Sequence, residues 1–394
     1  MAGLAGRGEP FSQKVRKVVL LAGEDGLVVS HCRILLGVLG EVSREVVAIA
    51  RSTGRLGEVE ALGVRVIDFD GSARWRNPVE DLRAAWSLAR ILEAEAADVV
   101  HCVGAGAAVL GCLALQLVSV EHAVVHLPDI DPLVSARGPW SWLYRRAAHK
   151  LIAATAGRPS AFLLVESADD LKDLRAQGVD PGARFAVLGG CGIDPDTYPV
   201  LPPSSGEMPV AAFVGELAAS SGVEVLMRAF DRVWARGVRL RLELVGGGAG
   251  GGPGAVSPDQ LTLWGLRPGV HLLGPAADVR EVWRRAEICV LPAIGRQGTP
   301  RTLLGAAACG RALIVTEGAG GGSFVRDGVE GLVVPRGDAA ALAEALERLA
   351  RDGELRQRLG EAARLRVLQG YTEAHVKQAL RASYASLLGT YTEP

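Results

Sequence analysis

Two histidines and one glycine- and arginine-rich stretch carry the polar chemistry of this sequence. His101 ends the motif DVVH inside an expected strand, Asp98–Val103, and His126 lies near the end of another, His122–Leu127. An imidazole titrates near neutral pH and can move a proton to or from a hydroxyl. Rings at the carboxyl ends of parallel strands face the place where α/β proteins hold ligands. The bland alternative for both is a satisfied histidine of the core. The second candidate is Val290–Pro335, VLPAIGRQGTPRTLLGAAACGRALIVTEGAGGGSFVRDGVEGLVVP. It reads as a strand, a Gly/Pro-punctuated loop (Gly295–Pro300), a small-residue helix (Arg301–Cys309), a strand (Ala312–Thr316), a glycine-rich loop and a third strand (Gly331–Val334). Helix N-termini at such an edge favour anions. The loops 293–302 and 317–324 are therefore the first places to look for a ligand, with Arg296, Arg301 and Arg311 close by in sequence. Arg301 opens the helix, where its alternative role is a solvated first-turn residue.

Several other chemistries are excluded. No GxxxxGK[ST] occurs, so there is no P-loop, and no GxSxG marks a hydrolase elbow. GxGxxG is present at Gly246, Gly248 and Gly251, but prolines delay any helix and the position 20 residues on is His271. A dinucleotide fingerprint needs a helix at the glycines and an acid at that distance. The seven histidines show no HExxH or paired spacing, and the six cysteines form no CxxC pair. Neither a metal site nor a disulfide framework is expected, and the cysteines read as buried free thiols.

The elements that must position these residues form two series. Apolar runs such as Val18–Ala22, Glu45–Ala50, Val64–Phe69, Asp98–Val103 and His122–Leu127 read as buried parallel strands alternating with helices. A Pro/Ser/Gly cluster lies at 199–209, after which the pattern restarts with Val210–Val214 and Leu240–Val245. The expected organisation is a disordered lead-in (1–16), a first Rossmann-like domain (17–200), a linker (201–209), a second such domain (210–370), and a C-terminal helix (371–394) packing back on the first. Two doubly wound domains facing across a cleft suit the 394 residues and the 49% apolar content.

A formal charge of −1 provides no field to attract nucleic acid. No signal peptide or spanning helix is read, so a cytoplasmic protein is expected. Helix Val79–Ala96 is expected to bury Leu82, Ala85, Trp86, Ala89 and Leu92 on one face. Segment 137–150 places Trp140, Trp142, Leu143 and Tyr144 beside Arg145, Arg146, His149 and Lys150. That mixture suits a helix resting on an anionic membrane surface, at the inner face. Its alternative is an ordinary helix with its aromatics in the core.

The motifs resemble those of GT-B glycosyltransferases, specifically family 4, the retaining enzymes of polysaccharide and lipopolysaccharide assembly. The similarity runs through VSH (Val29–His31), DVVH, GCGID (Gly190–Asp194), FVGEL (Phe213–Leu217), LELVGGG (Leu242–Gly248), AAACGR (Ala306–Arg311) and VRDGVEGLVVPRGD (Val325–Asp338). It implies a nucleotide-sugar as co-substrate without a metal cofactor, and a lipid-linked or glycan acceptor. It also implies an Arg and a Lys neutralising the donor diphosphate, at positions held here by Glu216 and Ser221. A pair of carboxylates for donor sugar and ribose would fall at Gln297 and Gly305, and a further Glu near Ser323. All five positions depart from the family pattern. On this reading the donor lies near Gly215, Glu216, Ser221, Arg296, Arg301, Thr302, Gly305, Gly321 and Ser323. The acceptor side lies near Ser30 and His31, and the candidate catalytic groups are His101, His126 and Gln297. Two functions stay open: an active glycosyltransferase, and a non-catalytic GT-B protein that binds a partner.

Overall fold

A computed structural model describes residues 14–70, 77–134, 141–202, 208–247, 254–295, 299–318 and 321–389. The chain divides into two compact units, Met1–Leu188 with Val376–Pro394, and Gly189–His375.

The first unit is built on seven strands: β1 (Val15–Glu24), β2 (Ser43–Arg51), β3 (Arg65–Asp68), β4 (Val99–Val103), β5 (His122–Leu127), β6 (Ala161–Val165) and β7 (Phe185–Val187). Their order is β3-β2-β1-β4-β5-β6-β7, every pair parallel. Strands buried on both faces need continuous apolar runs, and VVLLA in β1 and AFLLV in β6 provide them. One face of the sheet packs against helices Pro78–Glu95, Ala105–Ala114 and Ser141–Ala156. The other packs against helix Arg33–Val42 and the C-terminal helix Glu373–Leu388, which contributes Val376, Leu380, Tyr384 and Leu387.

The second unit has six parallel strands, β8 (Val210–Val214), β9 (Arg241–Val245), β10 (Val270–Gly274), β11 (Ile288–Leu291), β12 (Ala312–Thr316) and β13 (Gly331–Val334). Their order is β10-β9-β8-β11-β12-β13. Both sheets are therefore the doubly wound α/β type that the alternation implies. Helix Arg301–Ala308 is nearly all buried, and its alanines let it lie close to the sheet.

Three expectations need correction. Segment 189–200 clusters with the second unit, because Ile193 donates to the Tyr371 carbonyl at 3.1 Å and Leu201 to that of Cys309 at 3.2 Å. Leu82 and Trp86 are 55% and 57% exposed, whereas Ala85, Leu88, Ala89 and Leu92 are buried. The small Ala85 and Ala89 seat this helix on the equally small-sided helix Ala105–Ala114, leaving the indole on the flank. Strand β1 begins at Val15, inside the expected lead-in, whose residues 1–13 lie outside the described set. Most of the 201–209 linker (203–207), the GxGxxG residues Gly248 and Gly251, and 137–140 of the basic–aromatic segment also lie outside it. Five cysteines are buried and Cys191 is partly exposed, all as free thiols.

Candidate functional site

The carboxyl edge of the second sheet is held together mainly by its backbone. The turn after β8 meets the loop after β11, with the Ile294 and Gly295 amides donating to the Ser220 carbonyl at 2.9 and 3.2 Å. Thr316, at the end of β12, donates its hydroxyl to the Ala293 carbonyl at 2.6 Å. Arg336 ties the same loops, donating Nε to the Glu317 carbonyl at 2.7 Å, Nη1 to Ile294 at 3.3 Å and Nη2 to the Gly318 carbonyl. Two glycines make this closeness possible. A Cβ on Gly222 (φ +75°) would overlap the Pro292 carbonyl, and one on Gly246 (φ +151°) would overlap that of Gly215. Gly222 lies outside every quoted motif, and Arg336 and Gly246 fall inside VRDGVEGLVVPRGD and LELVGGG without being assigned a place in the site. Only the glycine-rich character of the second hinted at its role.

Helix Arg301–Ala308 opens at this edge with Pro300 as its N-cap and no side-chain cap. The amides of Leu303 and Leu304 turn back to the Pro300 carbonyl, while those of Arg301 and Thr302 have no partner among the described residues. Uncapped amides with the positive helix end make an anion-binding position. The glycine-rich turn faces the same sheet edge. Gly321 is buried against Leu303 and Val315, and its carbonyl accepts from the Phe324 and Val325 amides at 3.0 and 2.8 Å. Ser323 presents its carbonyl to Arg366 at 3.3 Å.

The residues singled out by sequence divide unevenly. Gly215 passes directly from β8 to the exposed Glu216, whose carboxylate makes no ion pair among the described residues. Ser221 is engaged in its own turn, donating to the Ala218 carbonyl at 2.7 Å. Arg301 reaches Glu373 at 3.4 Å, an exposed pair that is easily exchanged for another anion. Gly305 faces inward: a Cβ there would lie 2.9 Å from Cε1 of Tyr198 and 3.5 Å from Nε1 of Trp283. The space of a longer side chain is thus occupied by the Tyr198 ring. Arg311 is buried away from this edge, bonded to the Trp283, Leu201 and Pro202 carbonyls at 2.8, 3.2 and 3.0 Å. Arg296 and Gln297 lie outside the described residues.

The carboxyl edge of the first sheet is built instead from titratable side chains. Val103 pairs with His126 in register, so His101 and His126 share a face of the sheet. His101 is fully buried, correcting its placement at an open edge. Its Nδ1 lies 2.7 Å from the Tyr384 hydroxyl, and its ring meets that of His126 edge-on at 5.6 Å. Burial, with His126 beside it, holds its pKa well below the ordinary value, so it is neutral at pH 7. His126 is nearer the edge, with Nε2 3.4 Å from Oε1 of Glu166. Beyond β5, burial and the nearby Asp131 and Asp170 carboxylates raise the pKa of Asp129 to about 6. Burial likewise raises that of Asp170. A histidine oriented by a carboxylate and a carboxylic acid titrating near neutrality can together exchange protons with a hydroxyl.

Ser30 and His31 lie on the exposed end of the short helix after β1, 2.7 Å apart through Oγ and Nδ1. The less obvious residue there is Asp25. Its buried carboxylate accepts from the Thr53 and Arg55 amides at 2.9 and 2.8 Å and from the Thr53 hydroxyl. Burial pushes its pKa up, but these donors outweigh it and bring it to about 2. No cluster of metal-ligating side chains is found among the described residues.

Comparison with known proteins agrees with this architecture. Residues 39–189 match the family model for a glycosyl transferase 4-like domain, and residues 208–352 match that for glycosyl transferases group 1. D-inositol 3-phosphate glycosyltransferase of Nocardia farcinica is 30% identical over 255 residues, 61% of this chain and 53% of that protein. The match thus spans about half the length of that relative. A Campylobacter jejuni protein, N,N'-diacetylbacillosaminyl-diphospho-undecaprenol alpha-1,3-N-acetylgalactosaminyltransferase, is 24% identical over 90% of this chain and 94% of its own. Among solved structures, HepE of Anabaena in complex with UDP-glucose superposes with a TM-score of 0.74 at 17% identity, covering 95% of this chain and 100% of its own. With the two family models spanning residues 39–189 and 208–352 between them, the chain belongs to the GT-B glycosyltransferases of the family 4 type.

Proposed function

We propose that the protein transfers a sugar from a nucleoside-diphosphate sugar to a lipid-linked or polysaccharide acceptor, in cell-surface glycan assembly at the cytoplasmic side of a membrane. The observation that carries this reading is the uncapped N-terminus of helix Arg301–Ala308 beside the glycine-rich turn 321–324. The donor diphosphate is received by the Arg301 and Thr302 amides and the positive helix end, with the Arg301 guanidinium exchanging Glu373 for phosphate. As the sugar leaves, charge grows on the diphosphate, and fixed dipoles aimed at it lower the barrier without a metal. In the first unit, His126, held by Glu166, and Asp129 receive the acceptor hydroxyl, with Ser30 and His31 further along the same edge. His101, neutral and sealed by Tyr384, positions His126 and touches no substrate. The Campylobacter relative is named for a diphospho-undecaprenol acceptor and the Anabaena structure holds UDP-glucose, which favours a UDP-sugar and a lipid-linked acceptor.

A second reading, a non-catalytic binding protein, is favoured by Tyr198 filling the space beside Gly305 and by the exposed carboxylate of Glu216, at the position where the family resemblance implies a diphosphate-neutralising Arg. The two separate in a transfer assay with labelled UDP-, GDP- and ADP-sugars and a membrane-lipid extract. The first reading expects label in lipid or glycan and at least a tenfold loss of kcat/KM in Arg301→Ala. Donor binding without transfer to any acceptor supports the second.

A further inference from the structure

A groove of about 850 Å³ lies on the second unit at the amino edge of its sheet, the end opposite to the proposed donor position. Glu287 and Arg311, which immediately precede β11 and β12, belong to its floor. One wall is helix Gly353–Gly370, which presents Gln357, Glu361, Arg364, Leu365 and Leu368 at three- and four-residue spacing, the repeat of one helix face. The other wall is segment 200–202. The helix is pinned to the sheet edge at Gly360, where a Cβ would overlap the Gly310 carbonyl. One turn further on, Arg364 donates Nη1 to the Tyr198 carbonyl at 2.8 Å and to that of Ala308. On the wall and rim Val200, Leu365 and Leu368 are 63%, 58% and 40% exposed, so the apolar lining is left open to water.

The charges at the bottom of this groove do not balance. Arg356 is neutralised by Glu287 at 3.0 Å. Arg311 is 4% exposed, and Arg364 is half-buried. Neither makes an ion pair among the described residues, and the acceptors of both are main-chain carbonyls. Nη2 of Arg311 has no acceptor among the described residues. Carbonyl dipoles offset only part of the cost of taking a cation out of water. The carboxylates of Glu354 and Glu361 stand at the exposed rim, where water and salt screen them, and Glu361 accepts from the Gln357 amide at 2.9 Å. Two unneutralised guanidiniums beneath an apolar wall fit a ligand with a doubly charged head and an apolar body. A phosphate monoester carries a charge of about −1.5 to −2 at pH 7 and takes guanidinium donors two at a time, whereas a carboxylate brings one charge.

We propose that this groove is a second ligand site, for an amphipathic phosphate monoester whose phosphate meets Arg311 and Arg364 and whose apolar chain lies along Val200, Leu365 and Leu368. The site is independent of the proposed sugar transfer, because it lies at the other end of the sheet and its occupancy is read without any turnover.

The test is calorimetry of the full chain with octyl phosphate below its micellar range, beside butyl phosphate, octanoate and inorganic phosphate. Octyl phosphate should bind at least tenfold more tightly than butyl phosphate, since each methylene taken from water is worth up to about fourfold. It should also exceed octanoate at least tenfold, with inorganic phosphate weakest. Arg311→Gln breaks three hydrogen bonds to main chain and endangers the fold, so variants at the rim decide. Leu365→Asp with Leu368→Asp should lower the affinity at least tenfold at an unchanged melting temperature. Glu361→Gln should raise it about twofold, and Leu266→Asp, at a residue 77% exposed outside the groove, should leave it alone. Absence of heat with octyl phosphate, equal affinity for octyl and inorganic phosphate, or unaltered binding in the double variant overturns the proposal. So does displacement of octyl phosphate by a UDP-sugar, which would put it at the donor position. A wild-type dimer in light scattering that the double variant converts to a monomer also overturns it, because a second copy then fills the groove. Failure of every UDP-sugar to bind counts against the proposed activity and leaves this site standing.

Discussion

The two sheets share a plan and finish their carboxyl edges differently. The first unit closes its edge with ionisable and aromatic side chains: Asp25, His101, His126, Asp129, Glu166 and Tyr384. The second closes its edge with main chain, through Gly222, Gly246 and the carbonyls that Thr316 and Arg336 gather. A side-chain edge titrates and tolerates a conservative exchange. A backbone edge does not titrate, and it fails when a single Cβ is added. The difference fits their proposed ligands, a hydroxyl that must lose a proton and a diphosphate that needs fixed dipoles.

The largest expected break of this contrast is Gly222→Ala. The new Cβ overlaps the Pro292 carbonyl in a left-handed backbone, and neither peptide can yield without opening the edge. A loss upwards of about 3 kcal/mol is expected in chemical denaturation of the second unit. At Gly104 in the first unit the nearest atom is a Leu27 methyl at 3.7 Å, so Gly104→Ala should cost only the backbone penalty of φ +93° and ψ +154°, about 1–3 kcal/mol.

Next is Asp25→Ala, which leaves the Thr53 and Arg55 amides without their acceptor, at a cost of about 2–3 kcal/mol at pH 7. The wild-type carboxyl titrates near 2 when folded, below its ordinary value of 3.8. Its contribution is therefore complete above about pH 4 and disappears as pH falls through about 2. The wild-type and variant acid limbs should converge there. Parallel limbs down to pH 2 would show that Asp25 is not held this way.

Tyr384→Phe is smaller. It removes the hydroxyl at His101 Nδ1 in a fully buried site, for about 1–2 kcal/mol in urea unfolding. The smallest effect has the opposite sign. The folded pKa of Asp129 is raised to about 6 from 3.8, so the folded form binds the proton more tightly than the unfolded chain. Wild-type stability should rise as pH falls from 8 toward 5, and Asp129→Asn should be about 1 kcal/mol more stable at pH 8 and flatter. A wild-type profile flat across that window would remove Asp129 as a titrating group.

What was legible in the sequence follows the same contrast. The apolar runs of β1, β4, β8 and β12 and the small-residue helix 301–308 were readable because a strand or helix buried on both sides leaves a local signature. The sealing of His101 was hidden, because its partner is 283 residues away on the last helix. Tyr198 beside Gly305 was hidden for the same reason, so the sequence showed a missing carboxylate there and not the ring that fills the space. The exposed face of helix Pro78–Glu95 was misread because periodicity gives a stripe but not how far a neighbouring helix covers it.

The central claim is that the backbone edge of the second unit receives a nucleoside-diphosphate sugar. Isothermal calorimetry of the full chain against UDP-, GDP- and ADP-sugars tests it most directly, with Arg301→Ala and Glu216→Arg in parallel. One donor should bind, about tenfold more weakly in Arg301→Ala and more tightly in Glu216→Arg, where a repelling carboxylate becomes a cation. Absence of heat for every donor in the wild type, or a donor affinity indifferent to both substitutions, would contradict the account.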